Sequence, residues 1–130
     1  MPIVSNPQSH RIVIPVGNAK VVLVIRSYTT VEYARFMASR FGFGLGKSGQ
    51  LDDRSMLARI EFIDTLLVGI EAWDKDGQPD DILYLLDGKE EKLTPQVENW
   101  KNHVNPSWKL SAAFELEARS AEIEDHRLKN

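Results

Sequence analysis

Between Asp53 and Trp73 apolar residues recur every three or four positions, and no other stretch restricts the fold of this chain as strongly. Met56, Ile60, Ile63, Leu67 and Ile70 form one stripe, widened by Leu57, Leu66 and Trp73. Arg59, Glu61, Asp64 and Glu71 mostly fall outside it. That period predicts a long central amphipathic helix lying against a core, with Asp52 or Asp53 as its cap. Gly69 interrupts the stripe, where a lone helix would lose about 1 kcal/mol relative to alanine. A close-packed neighbour is the expected reason for it.

The N-terminal part has a different period. Residues 1–9 are polar, contain two prolines and read as a loose arm. Ile12, Ile14 and Val16 then alternate with Arg11, Val13 and Pro15, and the run from Lys20 to Arg26 is rich in Val and Ile. Two β-rich runs around Gly17-Asn18 predict a β-hairpin. Pro15 cannot donate to a ladder, so its strand is expected at an edge or to end there. Thr29 followed three residues later by Glu32 is the pattern of a capping box. A first helix is expected over about 30–41, with Val31, Ala34, Met37, Ala38 and Phe41 as its apolar positions and Gly42 as its stop.

Beyond the central helix, residues 74–81 read as a plain loop. Ile82 to Leu86, followed by Asp87-Gly88, suits either a strand or one helical turn. Thr94-Pro95 resembles the cap and first position of a short helix carrying Val97, Trp100 and Val104. Asn105-Pro106 repeats that punctuation and opens a last helix through Trp108, Ala112, Ala113 and Leu116, becoming mostly charged from Arg119. The expected fold is therefore α+β: an N-terminal β-hairpin, a long central amphipathic helix and a helical C-terminal half. The expected division is a flexible arm (1–9), one α+β domain (10–118) and a polar helical tail (119–130).

Composition narrows the function. A chain of 130 residues suits one domain. Its net charge of −3 disfavours nucleic acid and anionic membranes as partners. With no cysteine, it has no disulfide, thiolate zinc site or cysteine nucleophile. No signal peptide is recognisable, and no apolar run approaches the roughly 20 residues of a membrane span. The expected location is the cytoplasm.

Five patterns are tested by their context. Gly44-Leu45-Gly46-Lys47-Ser48-Gly49 matches G-x-G-x-x-G, but a helix rather than a strand precedes it. Read as a P-loop, the same segment lacks its first glycine, because Phe41 stands there. Asp74-Lys75-Asp76-Gly77 echoes a calcium loop whose first and twelfth positions would be Ala72 and Leu83, neither of which has an oxygen ligand. His10, His103 and His126 stand at no metal-ligand spacing, and the carboxylates of Glu61 and Asp64 read as a solvated helix face. Neither a catalytic set, a metal site nor a cofactor is expected. Phe43 and Leu45 in the glycine-rich loop, and Trp100 and Trp108 flanking the Asn105-Pro106 break, are the candidate partner contacts.

The order of these segments carries a resemblance. The hairpin ends in Arg26; Thr29-Thr30-Val31-Glu32-Tyr33-Ala34-Arg35-Phe36 follows; then Ala58-Arg59-Ile60-Glu61-Phe62-Ile63-Asp64-Thr65-Leu66-Leu67-Val68-Gly69-Ile70-Glu71-Ala72-Trp73-Asp74 leads to Asp76-Gly77. Over roughly residues 12–77 the chain resembles the tail assembly chaperones of long-tailed bacteriophages, departing from them where Ile70-Glu71-Ala72 separates Gly69 from Trp73. The resemblance implies a non-enzymatic protein of the host cytoplasm. It would cover a long helical tape-measure protein until tail tube subunits assemble around it, and would associate with itself. Two other readings compete with it. One is a tail or neck subunit that self-assembles through the hairpin edge. The other is a nucleotide binder using Gly44–Gly49.

Overall fold

The computed structural model describes residues 9–41 and 53–129. The chain opens with β1 (Ser9–Val16) and β2 (Ala19–Arg26), paired antiparallel through a two-residue turn at Gly17-Asn18. Gly17 has φ 61°, and Asn18 is absent from the residues with positive φ, which fits a type II′ turn. Such a turn makes Val16 and Ala19 a hydrogen-bonded pair, and alternation along the ladder leaves Pro15, Val13 and Arg11 with their backbone groups facing the open edge. Pro15 therefore removes no ladder bond, as expected from its edge position.

Two helices separate β2 from the next strand: α1 (Thr30–Phe41) and α2 (Asp53–Leu66). At α1 the capping box forms. Glu32 N donates to Thr29 Oγ1 over 3.1 Å, and Thr29 N donates to the Glu32 carboxylate over 3.0 Å. Arg26 at the end of β2 forks onto the same carboxylate with bonds of 3.0 and 2.7 Å. These bonds, led by that from Arg26, pull the Glu32 carboxyl down to about 2.

That shift fixes a pH dependence. The folded state favours the ionised form, so the stabilisation is complete above the ordinary value of 4.5 and is lost as pH falls through about 2. Denaturant midpoints of the native chain and Glu32→Gln are expected to differ at neutral pH and to converge across that acid window. A gap that stays constant down to pH 2 would show that the carboxylate charge contributes nothing.

The central helix is shorter than its apolar period predicts. α2 ends at Leu66, and Leu67–Trp73 is a strand, β3, paired antiparallel with β2. An i, i+3, i+4 pattern and a strand pattern overlap here: Leu67, Ile70 and Ala72 face the core side, while Glu71 and Trp73 face the other. The free edge of β2 decides between them, because its buried N–H and C=O groups can be satisfied by a strand and not by a helix. The register shifts between Val24 and Ile25, leaving Val68 as the extra residue of a bulge, 52% exposed. The close-packed neighbour expected to require Gly69 is not found: a Cβ there would meet Val24 Cβ at 3.5 Å, an ordinary van der Waals contact.

β4 (Pro79–Asp80) closes the order β1-β2-β3-β4. A separate hairpin follows, β5 (Leu83–Leu86) and β6 (Lys89–Lys92), so Ile82–Leu86 resolves as strand and the C-terminal half is not wholly helical. Asp87 and Gly88, at φ 52° and 80°, form a type I′ turn. The short helix expected from Thr94-Pro95 reduces to turns and one 3₁₀ turn, Trp100–His103. α3 (Pro106–Lys129) then runs unbroken through the segment expected as a tail.

The helices cover one face of the sheet. Ile12, Ile14, Val21, Leu23 and Ile25 from the sheet meet Phe36, Phe62, Ile63, Leu66, Ala112, Ala113 and Leu116 in one core. The inward face of α1 differs from the predicted one. Val31 is 58% exposed, while Tyr33, Phe36 and Met37 turn inward, because aromatic rings bring far more apolar area than Val or Ala at the same depth. On α2, Leu57 is exposed and Arg59 is buried. Arg59 donates to Ser55 Oγ over 2.5 Å, pairs with Glu117 at 3.3 Å and lies 4.5 Å above the Phe114 ring.

Candidate partner-binding groove

α1 and α2 pack with their aromatic residues interleaved, and a groove of about 270 Å³ remains between their outer turns. Its floor is the stacked pair Phe36 and Phe62, with ring centroids 4.2 Å apart and planes within 1°. Both rings are nearly covered by protein, at 4% and 7% exposure. Tyr33 and Tyr28 extend the cluster toward the sheet, and burial pushes the Tyr28 phenol up. The walls come from Glu32, Arg35 and Ser39 on α1 and from Ala58, Glu61 and Thr65 on α2.

The charges on these walls are not equivalent. Glu32 is held by Arg26 and the capping box. The Arg35 guanidinium and the Glu61 carboxylate have no hydrogen-bond or ion-pair partner among the described residues, although the Glu61 carbonyl accepts from Thr65 Oγ1. An aromatic floor between an unpaired cation and an unpaired anion suits an apolar side chain flanked by charges, the pattern along one edge of an amphipathic helix.

No family model, curated protein or solved structure matches this chain. The functional reading therefore rests on the residues and their arrangement.

Of the contacts named from sequence, Phe43 and Leu45 lie outside the described residues, as does the Gly44–Gly49 loop. Trp100 and Trp108 are both half-buried against the core, and neither ring stacks on another described ring. Phe36, Phe62 and Arg35 were missed as site residues because a helical period reports which residues point inward, not where two helices leave a gap. A usable signal was present: Tyr33 and Phe36 at i, i+3 place bulk on an α1 face that the Val31–Ala34–Ala38 stripe does not include.

Two further features stand apart from the groove. On the sheet face away from the helices, Arg11 forks onto Glu71 with bonds of 2.5 and 2.7 Å, and Trp73 Nε1 donates to Glu71 over 3.2 Å. The hydrogen bonds from Arg11 hold the Glu71 carboxyl below its usual range. A cavity of about 430 Å³ lies beside them, lined by Val13, Lys20, Val22 and Lys75. Its charged lining is mostly basic, Arg11, Lys20 and Lys75 against Asp74, and Asp74 is tied into its own turn by bonds of 2.9 Å from Asp76 N and Gln78 N. Glu61 and Asp64 do not form the solvated pair that their spacing suggests: Asp64 turns inward to Lys109 at 2.6 Å. Among the described residues no cluster of His, Asp and Glu is placed to hold a metal ion. No described helix is long and apolar enough to cross a membrane.

Proposed function

We propose that this chain is a non-catalytic protein-binding protein of the tail assembly chaperone kind, which seats the apolar stripe of a long, helical, tape-measure-like partner in its α1–α2 groove within the host cytoplasm. The observation that carries this reading is the Phe36–Phe62 floor between the side chains of Arg35 and Glu61, which are unpaired among the described residues. A bare apolar stripe on a long helix aggregates; an apolar side chain over the ring pair leaves water, while Arg35 and Glu61 meet the charges that flank such a stripe. A groove this small gives weak binding at one site. Many copies along one long partner compensate by avidity, and the net charge of −3 helps keep the assembly dispersed.

The test is co-purification with the host's long helical protein, followed by titration of a synthetic segment of it. Ser39 and Arg35 lie on the exposed side of α1, so Arg35→Glu and Ser39→Arg are expected to leave the melting temperature within a few degrees while weakening binding about tenfold, or about 1.4 kcal/mol. Unchanged affinity in both variants would remove the groove from the mechanism. Recovery of the bait alone from its native host would remove the chaperone reading itself.

A further inference from the structure

We propose that the sheet face away from the helices holds a binding site for a small aromatic anion of mononucleotide size, with its ring against Trp73 and its anionic group between Lys20 and Lys75. The inference does not depend on the groove or its partner.

Strand register brings the lining together. Val13 stands opposite Val22, Val22 opposite Glu71, and Lys20 opposite Trp73, so these side chains share one face of β1, β2 and β3. Val22 is only 3% exposed, yet it takes no part in the core between sheet and helices. Its cover comes from its neighbours on the outer face, where it forms part of the floor of the cavity of about 430 Å³. That volume falls within the range of ligand-binding clefts, roughly 300–1,000 Å³.

The aromatic wall is fixed before a ligand arrives. Trp73 Nε1 donates to Glu71 over 3.2 Å, and Arg11 forks onto the same carboxylate from β1. Arg11 first, and Trp73 with it, favour the ionised form of Glu71, so the indole keeps its acceptor. A ring already held in place gives up little freedom when a second flat ring packs on it.

Two cations supply the rest of the recognition. Arg11 is neutralised by Glu71, but the ammonium groups of Lys20 and Lys75 have no hydrogen-bond or ion-pair partner among the described residues. They come to the cavity from different elements, Lys20 from β2 and Lys75 from the turn between β3 and β4. Asp74 between β3 and that turn accepts from the N–H groups of Asp76 and Gln78 through Oδ1, which ties it away from the lysines. Unpaired ammonium groups beside an indole select an anion with a flat ring, the combination by which proteins hold nucleotides without a sequence code. A phosphate suits the two lysines, because its several oxygens can accept from both at once. Ring, sugar and phosphate together suit a cavity of this size, whereas a single-ring acid leaves much of it empty.

The test uses the nitrogen-15-labelled full chain, with adenosine monophosphate as the probe. Three tryptophans give three indole N–H signals, and Trp73→Phe identifies the one from Trp73. That signal is expected to shift saturably with a dissociation constant of about 1 mM or below, while those of Trp100 and Trp108 stay in place. Adenosine, which lacks the phosphate, inorganic phosphate, which lacks the ring, and benzoate, which lacks the size, are each expected to bind about tenfold more weakly or worse. Lys20→Gln combined with Lys75→Gln is expected to weaken the nucleotide by about the same factor at an unchanged melting temperature, because both side chains are exposed. An unmoved Trp73 signal at about 10 mM nucleotide, equal affinity for adenosine, an affinity indifferent to the two lysines, or equal shifts in all three indoles would each overturn the proposal. Benzoate binding as tightly as the nucleotide would overturn the size assigned to the ligand.

Discussion

Ile63→Asp is expected to abolish the cooperative unfolding transition at room temperature. Ile63 is fully buried at 0% exposure and belongs to the core formed where α2 meets the sheet and α3. An aspartate there either stays ionised without a partner or folds only in its neutral form, and both routes cost several kcal/mol. Loss of the isoleucine packing adds to that cost. Together these exceed about 4–5 kcal/mol, close to the whole stability of many domains of this size. Near-ultraviolet circular dichroism should lose its fixed aromatic signal, since the Tyr28–Tyr33–Phe36–Phe62 cluster depends on the same helix packing. Ile63→Val, which removes only one methylene, should cost about 1 kcal/mol and keep the signal. A near-native melt for the aspartate variant would mean that the core face of α2 has been misassigned.

Asp64→Ala is expected to cost about 3 kcal/mol by chemical denaturation, far more than an ordinary surface substitution. Asp64 itself is only partly covered, with its side chain 32% exposed. The cost arises at Lys109, whose side chain is 5% exposed and whose Nζ lies 2.6 Å from Asp64 Oδ1. Without Asp64 the ammonium keeps one acceptor, the Lys101 carbonyl at 2.7 Å, and no counter-charge. Lys101 Nζ in turn donates to the Asp64 carbonyl over 2.7 Å, so the pair joins α2, the 3₁₀ turn and α3 at one point. Adding Lys109→Met to Asp64→Ala should recover most of the loss, because an apolar chain of similar length then fills the buried path. A single-variant cost below about 1 kcal/mol, the range of exposed pairs, would show that water reaches the ammonium.

These two neighbouring positions differ in how far the sequence alone could reveal them. Ile63 is legible as core because it lies at the centre of a periodic apolar stripe. Asp64 and Glu61 look alike in sequence, yet the carboxylate of one is bound to Lys109 and that of the other borders the groove with no partner among the described residues. Their difference comes from α3, which crosses α2 from more than forty residues away in the chain. The buried Arg59 has a similar origin: its counter-charge Glu117 and the Phe114 ring beneath it both come from α3, while Ser55 on its own helix accepts a further bond.

The groove follows the same division. The bulk of Phe36 and Phe62 is visible in the sequence, but their parallel stacking depends on how α1 and α2 cross. That crossing also decides that Val31 and Leu57 face outward despite their apolar character.

By itself the sequence determined the local structure whose causes are local. Gly17-Asn18 turns the first hairpin, Thr29 and Glu32 start α1 and pair across its first turn, Pro15 confines β1 to an edge, and Asn105-Pro106 opens α3. Each follows from steric or hydrogen-bonding preferences within a few residues. Tertiary structure alone decided the fate of Leu67–Trp73. Its spacing satisfies a helix and a bulged strand equally well, and the unpaired edge of β2, more than forty residues earlier, selects the strand because buried backbone groups must be bonded.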